Sequence, residues 1–212
     1  MSFKHISLRQ KTFASSSTNH PMQLLRRFAK LLVLLVPFIM APASANAQGA
    51  VSETYSPTEL LDAGSQLFGS ISQGLASVVE RAVSQYGQPN AYILGQEGSA
   101  AVIGGVRYGD GIMYTRNVGQ REIFWQGPTI GFDFGGDGSR VMMLVYNLPD
   151  VNAVYGRYPA IQGTAYLVGG VGMTVLKRDN VIMIPIRSGV GARLGVNVGY
   201  LKFTANPTWN PF

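Results

Sequence analysis

The sequence predicts a mainly β protein: a small antiparallel β-barrel of about eight strands with one N-terminal amphipathic helix packed on it. Three observations predict this class. Apolar residues recur with a period of two from residue 91 to residue 205. Turn residues punctuate that stretch every eight to twelve positions. All 26 glycines follow residue 47, and in strands such density marks bulges, bends and close backbone approach.

The first element is a leader. Arg26-Arg27-Phe28-Ala29-Lys30 is basic, Leu31 to Met40 is an apolar run of ten, and Ala41-Pro-Ala-Ser-Ala-Asn-Ala47 is small. This is the order of a secretory signal peptide, with cleavage expected after Ala47 and Met22 as a second candidate start. The apolar run is half the roughly 20 residues a membrane-spanning helix needs and contains Pro37, so no span is expected in the mature chain. Six of the 17 basic residues and both histidines, His5 and His20, lie in residues 1–47, which contain no acidic residue. Eleven basic residues then balance 11 acidic ones. The net charge of +6 therefore belongs to the leader, and no nucleic-acid partner is expected. Without His or Cys, the mature chain has no Ser/His or Cys/His nucleophile pair, zinc finger, disulfide or acylated cysteine.

Residues 48–90 form an N-terminal segment. Ser56-Pro57-Thr58-Glu59 combines a capping hydroxyl, Pro at the first helical position and Glu three residues after the cap. Leu61, Phe68, Ile71, Leu75, Val78 and Ala82 recur mostly at helical spacing, and Gly87 with Pro89 makes a stop. One helix is predicted over 57–86, weakened at Gly64, Gly69 and Gly74.

Residues 91–205 form the barrel domain, and 206–212 a C-terminal tail. Strands are predicted near 91–95, 100–108, 111–117, 121–126, 128–134, 139–147, 162–176, 180–187, 190–196 and 198–204. Turns are expected at Gly109-Asp110-Gly111, Gly135 to Gly138 and Arg178-Asp179-Asn180, where Gly, Asn and Asp accept positive φ. Ten segments exceed eight strands, so some are halves of one strand bent at glycine, as at Gly169-Gly170. Asp150 is placed to cap a short helical turn after Leu148-Pro149. Ile182 to Ile186 and Met142 to Val145 are apolar on both faces, as in a packed core rather than a wet pore.

Chemistry is sparse. Gly189-Val-Gly191-Ala-Arg-Leu-Gly195 has the glycines of a dinucleotide loop but is followed by strand-like sequence, not the helix that such a loop opens. Asp133, Asp137 and Ser139 do not follow the ligand order of a calcium loop. Asp110, Glu122, Asp133 and Asp137 are the carboxylates from which a glycosidase pair would be drawn, a reaction needing two at a set separation. No catalytic residue, metal site or cofactor is assigned. Trp125 and Trp209, with tyrosines and Arg140, Arg157 and Arg187, have the chemistry to hold a sugar or a lipid headgroup. Trp125, Arg140, Tyr155 and Arg157 are the candidate binding residues, because loops carry function on barrels.

Four stretches carry a family resemblance: Gly95 to Gly111, Trp125 to Gly138, Val141 to Pro149 and Asn180 to Gly195. Across residues 90–205 the chain resembles the alphaproteobacterial envelope integrity protein A family. Export, a neutral mature charge and the absence of His and Cys make a non-enzymatic factor the expectation. The resemblance implies a soluble periplasmic protein with a roughly eight-stranded barrel. It also implies a role in envelope-stress resistance linked to lipopolysaccharide O-polysaccharide. A weaker similarity, in the order of Trp, Gly-rich segment and Met-Leu strand, is to SYLF-type lipid-binding domains and implies phospholipid binding. The expected partner is an envelope glycan, lipid or protein.

Overall fold

The computed structural model describes residues 50–69, 72–101, 104–130, 133–188 and 199–210. The leader, its cleavage site, the predicted strand 190–196 and the glycines of Gly189 to Gly195 lie outside the described residues.

The capping signal starts helix α1, Pro57–Phe68: Ser56 Oγ accepts from Glu59 N at 3.4 Å, and the Glu59 carboxylate accepts from Ser56 N at 2.9 Å. Instead of one helix over 57–86, α1 ends at Gly69 and α2 spans Ser72–Tyr86. Gly69 adopts φ +72°, a left-handed conformation that ends a helix and that glycine takes without a steric penalty. The periodicity carried across this break because both helices bury their apolar stripes against the same surface.

The strands are β1 (Ala91–Ala101), β2 (Gly104–Thr115), β3 (Gly119–Ile130), β4 (Asp133–Tyr146), β5 (Gly156–Pro159), β6 (Tyr166–Val168), β7 (Val171–Met173), β8 (Leu176–Arg178), β9 (Val181–Ser188) and β10 (Tyr200–Thr204). Their order is β5-β10-β3-β2-β1-β4-β9-β7-β6, with β8 also paired to β9, and all pairings are antiparallel. The sheet curls until β5 meets β8, where Ala160 bridges Leu176 and Ile161 N donates to Val175 O at 2.8 Å. Following that seam, the ring runs β5-β10-β3-β2-β1-β4-β9-β8, the eight strands expected.

Alternation sorts the side chains. Ile93, Met113, Ile123, Met143, Val145, Met183, Leu201 and Phe203 fill the interior. Met142, Leu144, Tyr146, Ile184 and Ile186 face outward under Leu60, Leu75, Val78 and Val79 of the helices. This is why β4 and β9 are apolar on both faces. Each such side chain contributes about 1.5–3 kcal/mol relative to exposure.

Several strand boundaries differ from expectation. Gly109-Asp110-Gly111 is the middle of β2 and Gly135 to Gly138 lies within β4; neither is a turn. The segments 91–95 and 100–108 meet in one hairpin of long strands, β1 and β2. β5 was not anticipated. The turn at Arg178-Asp179-Asn180 is present, with Asp179 at φ +54°. Gly169-Gly170 is not a bend within one strand but a two-residue hairpin turn, both residues at positive φ, that pairs β7 antiparallel with β6. Asp150 caps a 3-10 turn, Val151–Val154, by accepting from Asn152 N and Ala153 N.

Candidate functional site

In β1, β2 and β3 the odd-numbered residues face the barrel interior and the even-numbered ones face outward. Continuing the interior series places three charged residues inside: Glu97 after Ile93, Arg107 before Met113, and Arg187 after Met183. Arg187 donates to Glu97 through Nε (2.5 Å to Oε1) and Nη2 (3.1 Å to Oε2), and Arg107 Nε lies 3.4 Å from Oε1. Trp125 Nε1 donates to Oε2 at 3.1 Å. Burial pushes the Glu97 carboxyl up, but the charges of Arg187 and Arg107 and the hydrogen bonds from Arg187 and Trp125 outweigh it and hold the pKa below the ordinary value. Glu97 is therefore a fixed counter-ion.

Trp125 is wholly buried, and its ring occupies space left by two glycines. A Cβ on Gly109 would stand 2.2 Å from Trp125 Cε2, and one on Gly95 would stand 2.7 Å from Cη2. Only glycine at these positions lets the indole lie against the strands.

On the outer face of the same three strands lies a cleft of about 430 Å³. Strand register builds its floor in two rows: Gln96 opposite Asp110 opposite Phe124, and Gly98 opposite Tyr108 opposite Gln126. Pro207, Thr208 and Trp209 of the tail form its other wall. Trp209 is 85% exposed. Its ring stands edge-on to Tyr108 at 5.2 Å between centroids, and its carbonyl accepts from the Tyr108 hydroxyl at 2.8 Å. Lys202 Nζ holds the next residue through Asn210 O at 3.3 Å. The tail thus carries an exposed indole whose backbone is tied to the barrel.

The cleft combines aromatic surfaces, the exposed Asp110 carboxylate, the buried Glu97 carboxylate and two amides, which suits a ligand with apolar faces and polar edges. Gln126 is 1% exposed, and its Nε2 has no hydrogen-bond partner among the described residues.

The candidate residues from sequence do not converge. Trp125 belongs to the core, wholly buried, and backs the cleft from the interior side. Arg140 is exposed on β4 and donates to Leu67 O at the end of α1. The Tyr155 carbonyl accepts from Arg178, and its side chain packs against the interior core. Arg157 on β5 stacks over Tyr200 at 5.1 Å. Of the four carboxylates considered for hydrolysis, Asp110 lines the cleft and Glu122 is exposed on β3 outside it. The side chains of Asp133 and Asp137 lie outside the described residues.

The model of one family, envelope integrity protein A, matches residues 53–212. The chain belongs to the envelope integrity protein A family. It is also similar to a crystal structure described as a β-barrel-like, uncharacterized protein from Brucella abortus. Identity is 58%, the match covers 76% of this chain and 100% of that one, and the TM-score is 0.71. No curated protein matches. The matched region of this envelope integrity protein contains α1, α2, the barrel and the tail, so every wall of the cleft lies within it. Among the described residues, no helix is long and apolar enough to cross a membrane.

Proposed function

We propose that this envelope integrity protein is a periplasmic, non-enzymatic factor that supports the envelope by holding a saccharide in the cleft beside Trp209. The observation that carries the reading is the exposed indole fixed over a floor bearing Tyr108, Phe124, Asp110, Gln96 and Gln126. Exposed aromatic rings offer a face to the C–H surface of a sugar, while carboxylate and amide groups meet its hydroxyls. The leader supports export, and the family supports an envelope role. A functional link to lipopolysaccharide O-polysaccharide is the finer part of this reading, and it follows from the resemblance.

Binding is favoured over hydrolysis because the two carboxylates of the cleft are not equivalent. Glycoside cleavage needs two working carboxyl groups flanking the bond, and Glu97 is committed to Arg187, Arg107 and Trp125. Asp110 alone faces solvent there.

A strain lacking the protein, complemented with wild type or Trp209→Ala, tests this. Wild type should restore growth in detergent and β-lactam, and Trp209→Ala should not. Full rescue by Trp209→Ala would contradict a role for the cleft.

One observation favours a second reading, a phospholipid-binding module at the membrane surface. Pro57, Leu61, Ala76, Val79 and Val83 line an apolar groove of about 390 Å³ between α1 and α2. Flotation with liposomes discriminates: retention abolished by Leu61→Asp would favour the lipid, and no retention at any composition would remove it.

A further inference from the structure

We propose that the cleft beside Trp209 is one end of a longer binding track, and that its ligand is a linear glycan chain lying along the outer face of β2 to a second aromatic platform at Tyr114. This rests on the saccharide reading above and names its ligand class, a chain of several sugars rather than one or two.

Strand register lays out the track. Beyond the row of Gln96, Asp110 and Phe124, two further rows continue the outer face of β1, β2 and β3: Leu94 opposite Ile112 opposite Glu122, then Tyr92 opposite Tyr114 opposite Gln120. The helices pack over β4, β6 and β7. On β2 and β3 the rows reach solvent, with Asp110, Glu122 and Gln120 exposed and Ile112 and Tyr114 half-buried. The tail sets the direction. Tyr108 holds the carbonyl of Trp209 and Lys202 holds that of Asn210, so the tail crosses the row of Tyr108, Gln126 and Lys202 and closes the cleft on that side. A chain longer than the cleft therefore leaves on the other side, past Asp110 and Ile112 towards Tyr114.

The Tyr114 ring is held ready to receive it. It stacks on Tyr92 with centroids 4.9 Å apart and planes 13° from parallel, and Tyr55 stands edge-on behind Tyr92 at 4.8 Å. One face of the Tyr114 ring is thereby fixed, and the other lies towards the exposed Gln120. From Tyr108 to Tyr114 the strand rises about 20 Å, at about 3.4 Å per residue. A disaccharide is shorter than that span, so only a longer chain touches both platforms. Between them, apolar Ile112 and Leu94 alternate with Asp110, Gln96 and Glu122, which meet the C–H faces and the hydroxyls of successive sugars. An extended peptide fits less well, because it gains affinity by pairing with a free strand edge, and β2 is already paired on both sides.

The test is isothermal titration calorimetry of the exported, processed chain, with amide chemical shifts recorded alongside. The probes are linear oligomers of hexose and of N-acetylhexosamine, from disaccharide to hexasaccharide. Affinity should rise with length, the hexasaccharide binding at least about tenfold more tightly than the disaccharide. The amides of Ile112, Met113 and Tyr114 should shift with the hexasaccharide and not with the disaccharide. Tyr114→Ala should remove the gain from length. The length series and the shifts use the unaltered chain, so they decide the matter even where Tyr114→Ala unfolds. Equal affinity at every length, shifts confined to the cleft, or a gain that survives in folded Tyr114→Ala would overturn the track and leave the saccharide reading standing. If no oligomer of either series binds, the saccharide reading itself fails, and the track with it.

Discussion

The indole N–H of Trp125 donates to the Glu97 carboxylate at 3.1 Å, inside a barrel where neither side chain reaches solvent appreciably. This contact joins the two halves of the site's architecture. On its inner side, Glu97 anchors two arginines. On its outer side, the ring of Trp125 backs a cleft open to solvent.

The fit of that ring against glycine predicts the first mutational outcome. Gly109→Ala forces a methyl to 2.2 Å from the wholly buried indole. Overpacking of this kind costs about 1–3 kcal/mol. Chemical denaturation should show a lower midpoint with an unchanged slope, whereas alanine at Gly98, where no atom lies within 4 Å of the added carbon, should change the midpoint little.

Glu97 sets the acid limit of stability. Its carboxyl is held below the ordinary value, so its contribution is present above the unfolded-state pKa and is lost as pH falls through the folded one. Thermal midpoints should be flat from neutral pH to about pH 5 and fall below that. Glu97→Gln leaves Arg187 and Arg107 buried without their carboxylate and should cost about 3–5 kcal/mol at neutral pH, with a flatter acid limb. Glu59 also titrates low, at about 2, chiefly through its hydrogen bond to the Ser56 backbone, but it is exposed, and Glu59→Gln should alter the acid limb far less.

How much of this was legible in the sequence follows from which signals are local. The cap at Ser56, the turn at Asp179 and the two-sided β4 and β9 were readable because each is written in adjacent residues. The break at Gly69 was not, because both helices present one continuous apolar stripe to the barrel. Gly109 and Gly111 in β2 read as a turn because their reasons, the ring of Trp125 and the β1 backbone at Leu94, come from other strands. The buried ion cluster did leave a trace: Glu97, Arg107 and Arg187 occupy the parity of Ile93, Met113 and Met183. The cleft left less, since Asp110, Tyr108, Phe124 and Gln126 converge only through register, and Trp209 joins them from the tail.

Tyr146 predicts an alkaline effect. Burial pushes its phenol well above the ordinary tyrosine value, and its hydroxyl has no partner among the described residues. A raised folded pKa contributes stability that is fully present below the unfolded value, about 10, and lost as pH rises beyond it. Tyr146→Phe removes an unsatisfied hydroxyl, so stability at neutral pH should hold or rise by about 1–3 kcal/mol, and unfolding above pH 10 should be blunted. Denaturant midpoints measured across pH 7–11 check both.

Trp209 separates stability from function. At 85% exposed its truncation should shift stability by no more than about 0.5 kcal/mol, while removing the aromatic wall of the cleft. Loss of envelope support with an unchanged melting curve is the expected pair of results for Trp209→Ala.

The most direct measurement is native mass spectrometry, with glycan and lipid extraction, of wild-type and Trp209→Ala protein taken gently from its own cells. The account predicts a saccharide on the wild type that is absent from Trp209→Ala. An empty wild-type protein, or a phospholipid held equally by both, would contradict it.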